Sequence, residues 1–227
     1  MTTFNWHDQA QDEWNQKVSF WNSRSEEMWK NGSRKTVIPF IQKHLKSGGI
    51  VADVGCGDGF GTSLLAASGY KAIGLDLSEE MIQKASQLHK SENLSFAQAD
   101  IMKLPLSSES VEGVMVINAL EWTEHPRLAL KELHRVVKTG GYACVGILGP
   151  TAQPRTNSFQ RLYGEDVICN TMMPWEFEQL AKENGWEVID GEGVYKRNVT
   201  DKKLIGQLPN ELKQALTFLW LFMLKKQ

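Results

Sequence analysis

Four glycines at alternate positions, Gly55, Gly57, Gly59 and Gly61, follow an acidic residue, Asp53, in the stretch VADVGCGDGFGT, residues 51–62. Glycine lacks a Cβ, so backbone there can approach a ligand closely and adopt positive φ. A helix that starts at such a turn points unpaired N–H groups at the same spot. These features describe a nucleotide site, and the spacing narrows the nucleotide. A dinucleotide fold wants G-x-G-x-x-G, but counted from Gly55 the third glycine position is Phe60. Asp53 would also repel a pyrophosphate. A carboxylate at the end of the preceding strand suits a ligand with a cationic end.

Three more polar residues share this setting. Asp76 lies about 20 residues beyond the glycines, the distance at which an acidic side chain reaches ribose hydroxyls. Asp100 and Asn118 each close a further apolar run. The elements that must position them alternate. Strands are expected at residues 50–54, 71–75, 94–99, 111–117 and 142–148. Helices fall between them, with apolar faces such as Met81, Ile82, Ala85 and Leu88, and Leu130, Leu133 and Val137. Gly140-Gly141 is read as the stop of the latter helix. Nearly continuous apolar strands joined by helices mean a parallel sheet covered on both faces. Ligands of such sheets sit beyond the carboxyl ends of the strands, where Asp53, Asp76, Asp100 and Asn118 all stand. After Gly149-Pro150 the pattern loosens. Pro174 starts a helix, residues 186–197 read as a strand, and Pro209 opens a short helix. The run Leu216 to Leu224 lacks polar alternation, which suits a strand buried on both faces.

The chain has 227 residues, enough for one α/β domain with an appendage. A net charge of −2 without a long basic run disfavours a nucleic-acid partner. Cys56, Cys144 and Cys169 form no C-x-x-C pair, which implies no metal site and a reducing, cytoplasmic setting. The polar N-terminus is not a signal peptide. No apolar run reaches the ~20 residues of a membrane span. Residues 1–32 hold half of the tryptophans, and Trp14, Val18, Trp21, Ser25 and Met28 share one helical face. We divide the chain into an N-terminal helical lid, residues 1–46, and a nucleotide-binding domain, residues 47–227.

Four segments together carry a family resemblance over roughly residues 33–148: VADVGCGDGFGT, GLDLS at 74–78, Asp100 followed by Leu104-Pro105, and LKELHRVVKTGG at 130–141. In this order they resemble the class I S-adenosylmethionine (SAM) methyltransferases of type 11, which include enzymes of ubiquinone and menaquinone biosynthesis. The resemblance implies a Rossmann-like α/β fold: a seven-stranded, mostly parallel sheet with helices on both faces. Its last strand is antiparallel and inserted beside strand five, and Leu216 to Leu224 is the candidate. It also implies site roles. Asp53, Gly55, Gly57 and Asn118 would surround the methionine portion, and Asp76 the ribose. Leu77 would lie on an adenine face, with Asp100 and Ile101 at the adenine edge. Arg34 would meet the cofactor carboxylate, as an arginine does in the quinone-pathway relatives.

Methyl transfer asks little acid–base chemistry of a protein. Candidates for a base are Glu121, His125 and Tyr163, with Glu165 beside them. Where the family often has histidine this chain has Trp122, and no Asn/Asp-Pro-Pro-aromatic sequence follows strand four, which argues against methylation of a flipped DNA base. The implied activity is transfer of the sulfonium methyl to a small-molecule acceptor. A nicotinamide-dependent dehydrogenase shares the fold and the ribose carboxylate, and a non-catalytic SAM-binding protein would share the cofactor motifs. No motif specifies the acceptor or the number of subunits.

Overall fold

In the computed structural model, which describes residues 4–227, seven strands form one sheet in the order β3-β2-β1-β4-β5-β7-β6. They are β1 (Ile50–Val54), β2 (Lys71–Asp76), β3 (Leu94–Gln98), β4 (Val111–Ile117), β5 (Val137–Leu148), β6 (Trp186–Tyr195) and β7 (Thr217–Lys226). The first five run parallel, while β7 pairs antiparallel with both β5 and β6. The expected insertion of the last strand is therefore observed.

The sequence of β7 explains its place. Leu219, Leu221 and Met223 pack on one face of the sheet with Val37, Ile41 and Leu65. Trp220, Phe222 and Leu224 pack on the other with Leu133, Phe177 and Ala181. A strand covered on both sides has no polar face to alternate with. The helices supplying these two layers are α3 (Val37–His44) and α4 (Phe60–Ala67) on one side, and α6 (Pro126–Val136) and α7 (Pro174–Glu183) on the other. Helix α5 (Glu79–Leu88) starts as its sequence predicts, with the Ser78 hydroxyl accepting from the Met81 N–H. Pro39 marks a late helix start, two residues into α3.

Several boundaries differ from the sequence reading. Residues 1–32 contain two helices, α1 (Trp6–Gln16) and α2 (Val18–Lys30), broken at Lys17. Helix α6 ends at Val136, and Gly140-Gly141 lies inside β5. Val111 pairs with Val137, whereas Gly113 pairs with Tyr142, so residues 138–141 bulge from the ladder, with Gly140 at φ +77°. Strand pairing, and not the glycines, stops this helix. A 3-10 helix (Gln153–Tyr163) and α8 (Lys202–Gln207) have no counterpart in the sequence reading, while the short helix after Pro209 is α9 (Asn210–Ala215).

Candidate active site

A cavity lies beyond the carboxyl ends of β1 to β5 and is roofed by α1 and α2. Gly55, Gly57, Asp76, Leu77, Asp100 and Ile101 line it from the sheet side, together with Asn118. Arg34 lines it from the turn after α2. Eight of the nine residues proposed for the cofactor are thus brought together. The ninth, Asp53, is buried behind this surface and accepts a 2.7 Å hydrogen bond from the Thr62 hydroxyl of α4.

The glycine turn is built to leave space. Gly57 holds φ +55°, and a Cβ built on it would meet no atom within 4 Å, because it would point into the cavity. Its N–H donates to Asp76 Oδ2 at 2.7 Å, and the Ser78 N–H donates to Asp76 Oδ1 at 3.0 Å. Two backbone donors thus orient the carboxylate, and each oxygen keeps accepting capacity. The Gly55 N–H is taken by the Leu75 carbonyl and the Asn118 N–H by the Gly146 carbonyl. What the backbone of these two residues offers a ligand is therefore carbonyl oxygen, which suits an ammonium, while the Asn118 Nδ2 is a buried donor without a partner. Asn118 reaches this arrangement at φ +57°, in the left-handed region that asparagine tolerates better than most residues.

The electrostatics point the same way. Burial pushes the Asp53 carboxyl up to about 7, against the influence of Thr62 and of the Arg34 charge. Burial also raises Asp76, and a third carboxylate, Asp58, lies close enough to act on both. One cation faces them. The Arg34 guanidinium lies 5.2 Å from the Trp21 ring centre and 5.6 Å from that of Trp29. Burial lowers its pKa, and the Asp53 and Asp58 charges raise it. Three carboxylates and one arginine favour a ligand that carries more positive than negative charge at this end. That is the charge pattern of an aminoacyl sulfonium, and a pyrophosphate has the opposite one. The residues present fit SAM.

Asp58 escaped the sequence reading. It is buried, lines the cavity and accepts from Ser25 Oγ at 2.8 Å and Asn22 Nδ2 at 3.3 Å, which ties α2 to the glycine turn. Its signal was available: an acidic residue inside a glycine-rich turn needs partners when buried. Helix α1 is fastened along the remaining strand ends. The Trp6 indole donates to the Trp122 carbonyl at 2.9 Å, Asn15 Oδ1 accepts from the Ser78 hydroxyl at 2.6 Å, and His7 Nε2 is 3.5 Å from Asp100 Oδ2. Asp100 Oδ1 already accepts from the Met102 N–H at 2.8 Å.

The candidates for a base lie elsewhere. Glu121 is fully buried in a 3-10 turn, Leu120–Trp122, and does not line the cavity. Its Oε1 accepts from the Leu148 N–H at 2.6 Å, so it joins the ends of β4 and β5. Burial raises its carboxyl. His125 is exposed at the start of α6, where its side chain makes no capping bond. Tyr163 is 72% exposed at the end of the long 3-10 helix, edge-on to Phe159, and Glu165 is exposed as well. None of these four lines the cavity. Among the described residues no cluster of potential metal ligands occurs, and no helix is long and apolar enough to cross a membrane.

A Rossmann-like sheet with a site for a cationic nucleotide defines the broad class, and comparison with known proteins gives the family. The family model of the methyltransferase domain matches residues 51–145. The ubiquinone biosynthesis O-methyltransferase of Methylococcus capsulatus is 30% identical over 177 residues, 72% of this chain and 74% of that protein. The malonyl-[acyl-carrier protein] O-methyltransferase of Hamiltonella defensa is 34% identical over 132 residues, 58% of this chain and 50% of its own length. The chain thus spans half or less of the length of the first curated relatives it matches. Among solved structures, a chain of the complex between the Haloferax volcanii Trm112 methyltransferase activator and a methyltransferase superposes with a TM-score of 0.72 at 19% identity, covering 96% of both chains. The chain belongs to the class I SAM-dependent methyltransferases of type 11.

Proposed function

We propose that this chain transfers the methyl group of SAM to a small-molecule acceptor. The observation that carries the reading is the Asp76 carboxylate, held by the Gly57 and Ser78 N–H groups at the edge of a cavity that also contains the unpaired carbonyls of Gly55 and Asn118. In this reading Asp76 takes the ribose hydroxyls. Leu77 and Ile101 enclose the adenine, and Asp100 accepts at its edge. The Gly55 and Asn118 carbonyls, with Asp53 behind them, hold the ammonium, and Arg34 binds the carboxylate. When bound, the cofactor supplies a methyl group on sulfonium, a leaving group that needs no activation by the protein. The side chains then have to align the acceptor and exclude water, and alignment alone can contribute up to ~7–11 kcal/mol. With Glu121, His125 and Tyr163 outside the cavity, His7 and Glu124 are the imidazole and carboxylate that line it besides the carboxylate cluster and Arg34, and orientation is the main contribution of the protein.

The roof takes the part of a lid in this reading. Helix α2 is its fixed part, because Trp29 is 6% exposed and packs over Gly61, where a Cβ would meet the ring at 2.2 Å. Helix α1 buries only Ala10 and is held by separate polar contacts and by the packing of Trp14 on Trp122, so it is the part that opens. The turn at Gly32, a candidate hinge from its sequence, is closed by its N–H to the Glu27 carbonyl and by the Arg34 N–H to the Met28 carbonyl, so the hinge of this reading is the break at Lys17. The small-molecule acceptor follows the relative named for ubiquinone biosynthesis; another relative is named for malonyl-[acyl-carrier protein], an acyl group on a carrier protein. Three buried unpaired cysteines support a reducing, cytoplasmic setting.

Titration calorimetry with SAM, S-adenosylhomocysteine and NADH tests the reading. Both sulfur nucleotides should bind and NADH should not. NADH binding as tight as that of SAM would overturn it in favour of a dehydrogenase.

A further inference from the structure

The cavity crosses the sheet at the junction of β1 and β4, and its two sides differ in chemistry. On the β1–β2–β3 side stand the carboxylates and Arg34. On the β4–β5–β7 side the lining is Trp122, Leu148, Pro154 and Phe218, with Thr123 and Glu124. Trp122 and Leu148 form one buried apolar cluster, against which Trp14 and Phe218 pack. The Trp14 and Trp122 rings meet edge-to-face, 5.5 Å apart at 77°. The Trp122 side chain is buried in this cluster.

Polar recognition on this side is limited to Asn118 at the end of β4, whose buried Nδ2 has no partner, and to Thr123 and Glu124. The Thr123 hydroxyl is spent on the Leu120 carbonyl at 2.9 Å. Glu124 is half exposed at the rim. Arg34, the lining arginine of the polar side, sits between two tryptophans and faces Asp53 and Asp58. An ionised group entering deep on the β4–β5–β7 side would meet no counter-charge and would pay for desolvation. A planar ring would find aromatic edges and faces with complementary quadrupoles.

Building on the cofactor reading above, we propose that the β4–β5–β7 side is the acceptor chamber and that it selects a planar aromatic ring without an ionised substituent on the buried edge. Trp122 is the specificity-determining residue, supported by Trp14.

The test uses the full chain labelled with 15N at its tryptophan indoles, with S-adenosylhomocysteine present. The probes are 2-naphthol, its saturated decahydro analogue and 2-naphthoate. Trp14→Phe and Trp122→Phe each remove one indole signal and so assign it. 2-Naphthol should shift the Trp14 and Trp122 signals and leave those of Trp186 and Trp220 in place. It should bind roughly three- to tenfold more tightly than the saturated analogue, the range expected from aromatic pairing beyond area, and more tightly than 2-naphthoate. Trp122→Ala should weaken 2-naphthol about tenfold with calorimetric S-adenosylhomocysteine affinity unchanged within about twofold. If that variant does not fold, Trp122→Leu serves, with the same expectation. Equal binding of the saturated analogue, tighter binding of 2-naphthoate, shifts confined to other tryptophans, or no probe binding by a chain that binds S-adenosylhomocysteine would each overturn the proposal. Shifts at Trp14 and Trp122 in a chain that does not bind S-adenosylhomocysteine would uphold the chamber and overturn the cofactor reading instead.

Discussion

The two sides of the cavity are made in different ways. The β1–β2–β3 side draws its acidic groups and its glycine turn from the last residues of a strand or the turn just after it: Asp53 and Gly57, Asp76, Asp100; only Arg34 comes from elsewhere, the turn after α2. Its chemistry is carboxylate and backbone. The β4–β5–β7 side draws on residues far apart in the chain, Trp14, Trp122, Leu148 and Phe218, and its chemistry is aromatic and apolar. The first side is a local motif placed by the sheet, whereas the second exists only once β7 is inserted beside β5 and α1 lies over β4. One side is therefore suited to a nucleotide of fixed structure, and the other can vary between relatives without disturbing the first.

The buried carboxylate behind the glycine turn gives the nucleotide side a pH-dependent cost in stability. The Asp53 carboxyl is held at about 7 by burial, above the ~3.9 of an unfolded chain. A raised folded value means that its contribution to stability is present at low pH and is lost as pH rises from about 4 through about 7. Asp53→Asn lacks this loss. Urea unfolding of the ligand-free chain should show the variant gaining on the parent across that window, by at most about 4 kcal/mol. Parallel pH profiles for the two proteins would mean that Asp53 carries no such cost. Trp122→Ala, on the other side, should destabilise without a comparable pH dependence.

The next largest effect concerns ligand affinity. Asp76→Ala removes a charged acceptor, which typically costs roughly 2–3 kcal/mol, or on the order of 30–100-fold in affinity. Calorimetry should show that loss for SAM, while 2-naphthol binding in the chamber stays within about twofold, as expected for independent sites. Coupled losses of both ligands would merge the two sides into one.

A smaller effect separates the ends of the nucleotide. Arg34→Ala should weaken SAM by about tenfold, the size of one charge-assisted contact. Adenosine, which has no carboxylate, should bind the variant and the parent alike. Equal weakening of both ligands would remove Arg34 from the carboxylate.

The contrast between the two sides also explains what could be read from the sequence. The glycine turn, Asp76, Asp100 and the apolar run of β7 were legible because each signal lies within a few residues: a strand end, a turn, a missing alternation. The Trp14–Trp122 contact was not, because 108 positions separate residues that only the roofing of β4 by α1 brings together. Glu121 was misread for a related reason. A glutamate in a loop is expected to be exposed, and only the pairing of β5 with β4 puts the Leu148 N–H where this carboxylate is needed inside. The break at Lys17 carries no glycine or proline, so α1 and α2 read as one helix.

The central claim is that SAM lies with its ribose and adenine on the β1–β2–β3 side and its sulfur toward the tryptophan-lined chamber. The most direct measurement is a structure of the full chain with S-adenosylhomocysteine. It should show the ribose hydroxyls on Asp76, the adenine between Leu77 and Ile101, the carboxylate on Arg34, and the sulfur facing the side that contains Trp122. A nucleotide with its adenine stacked on Trp122, or with Asp76 turned away from the ribose, would contradict the account.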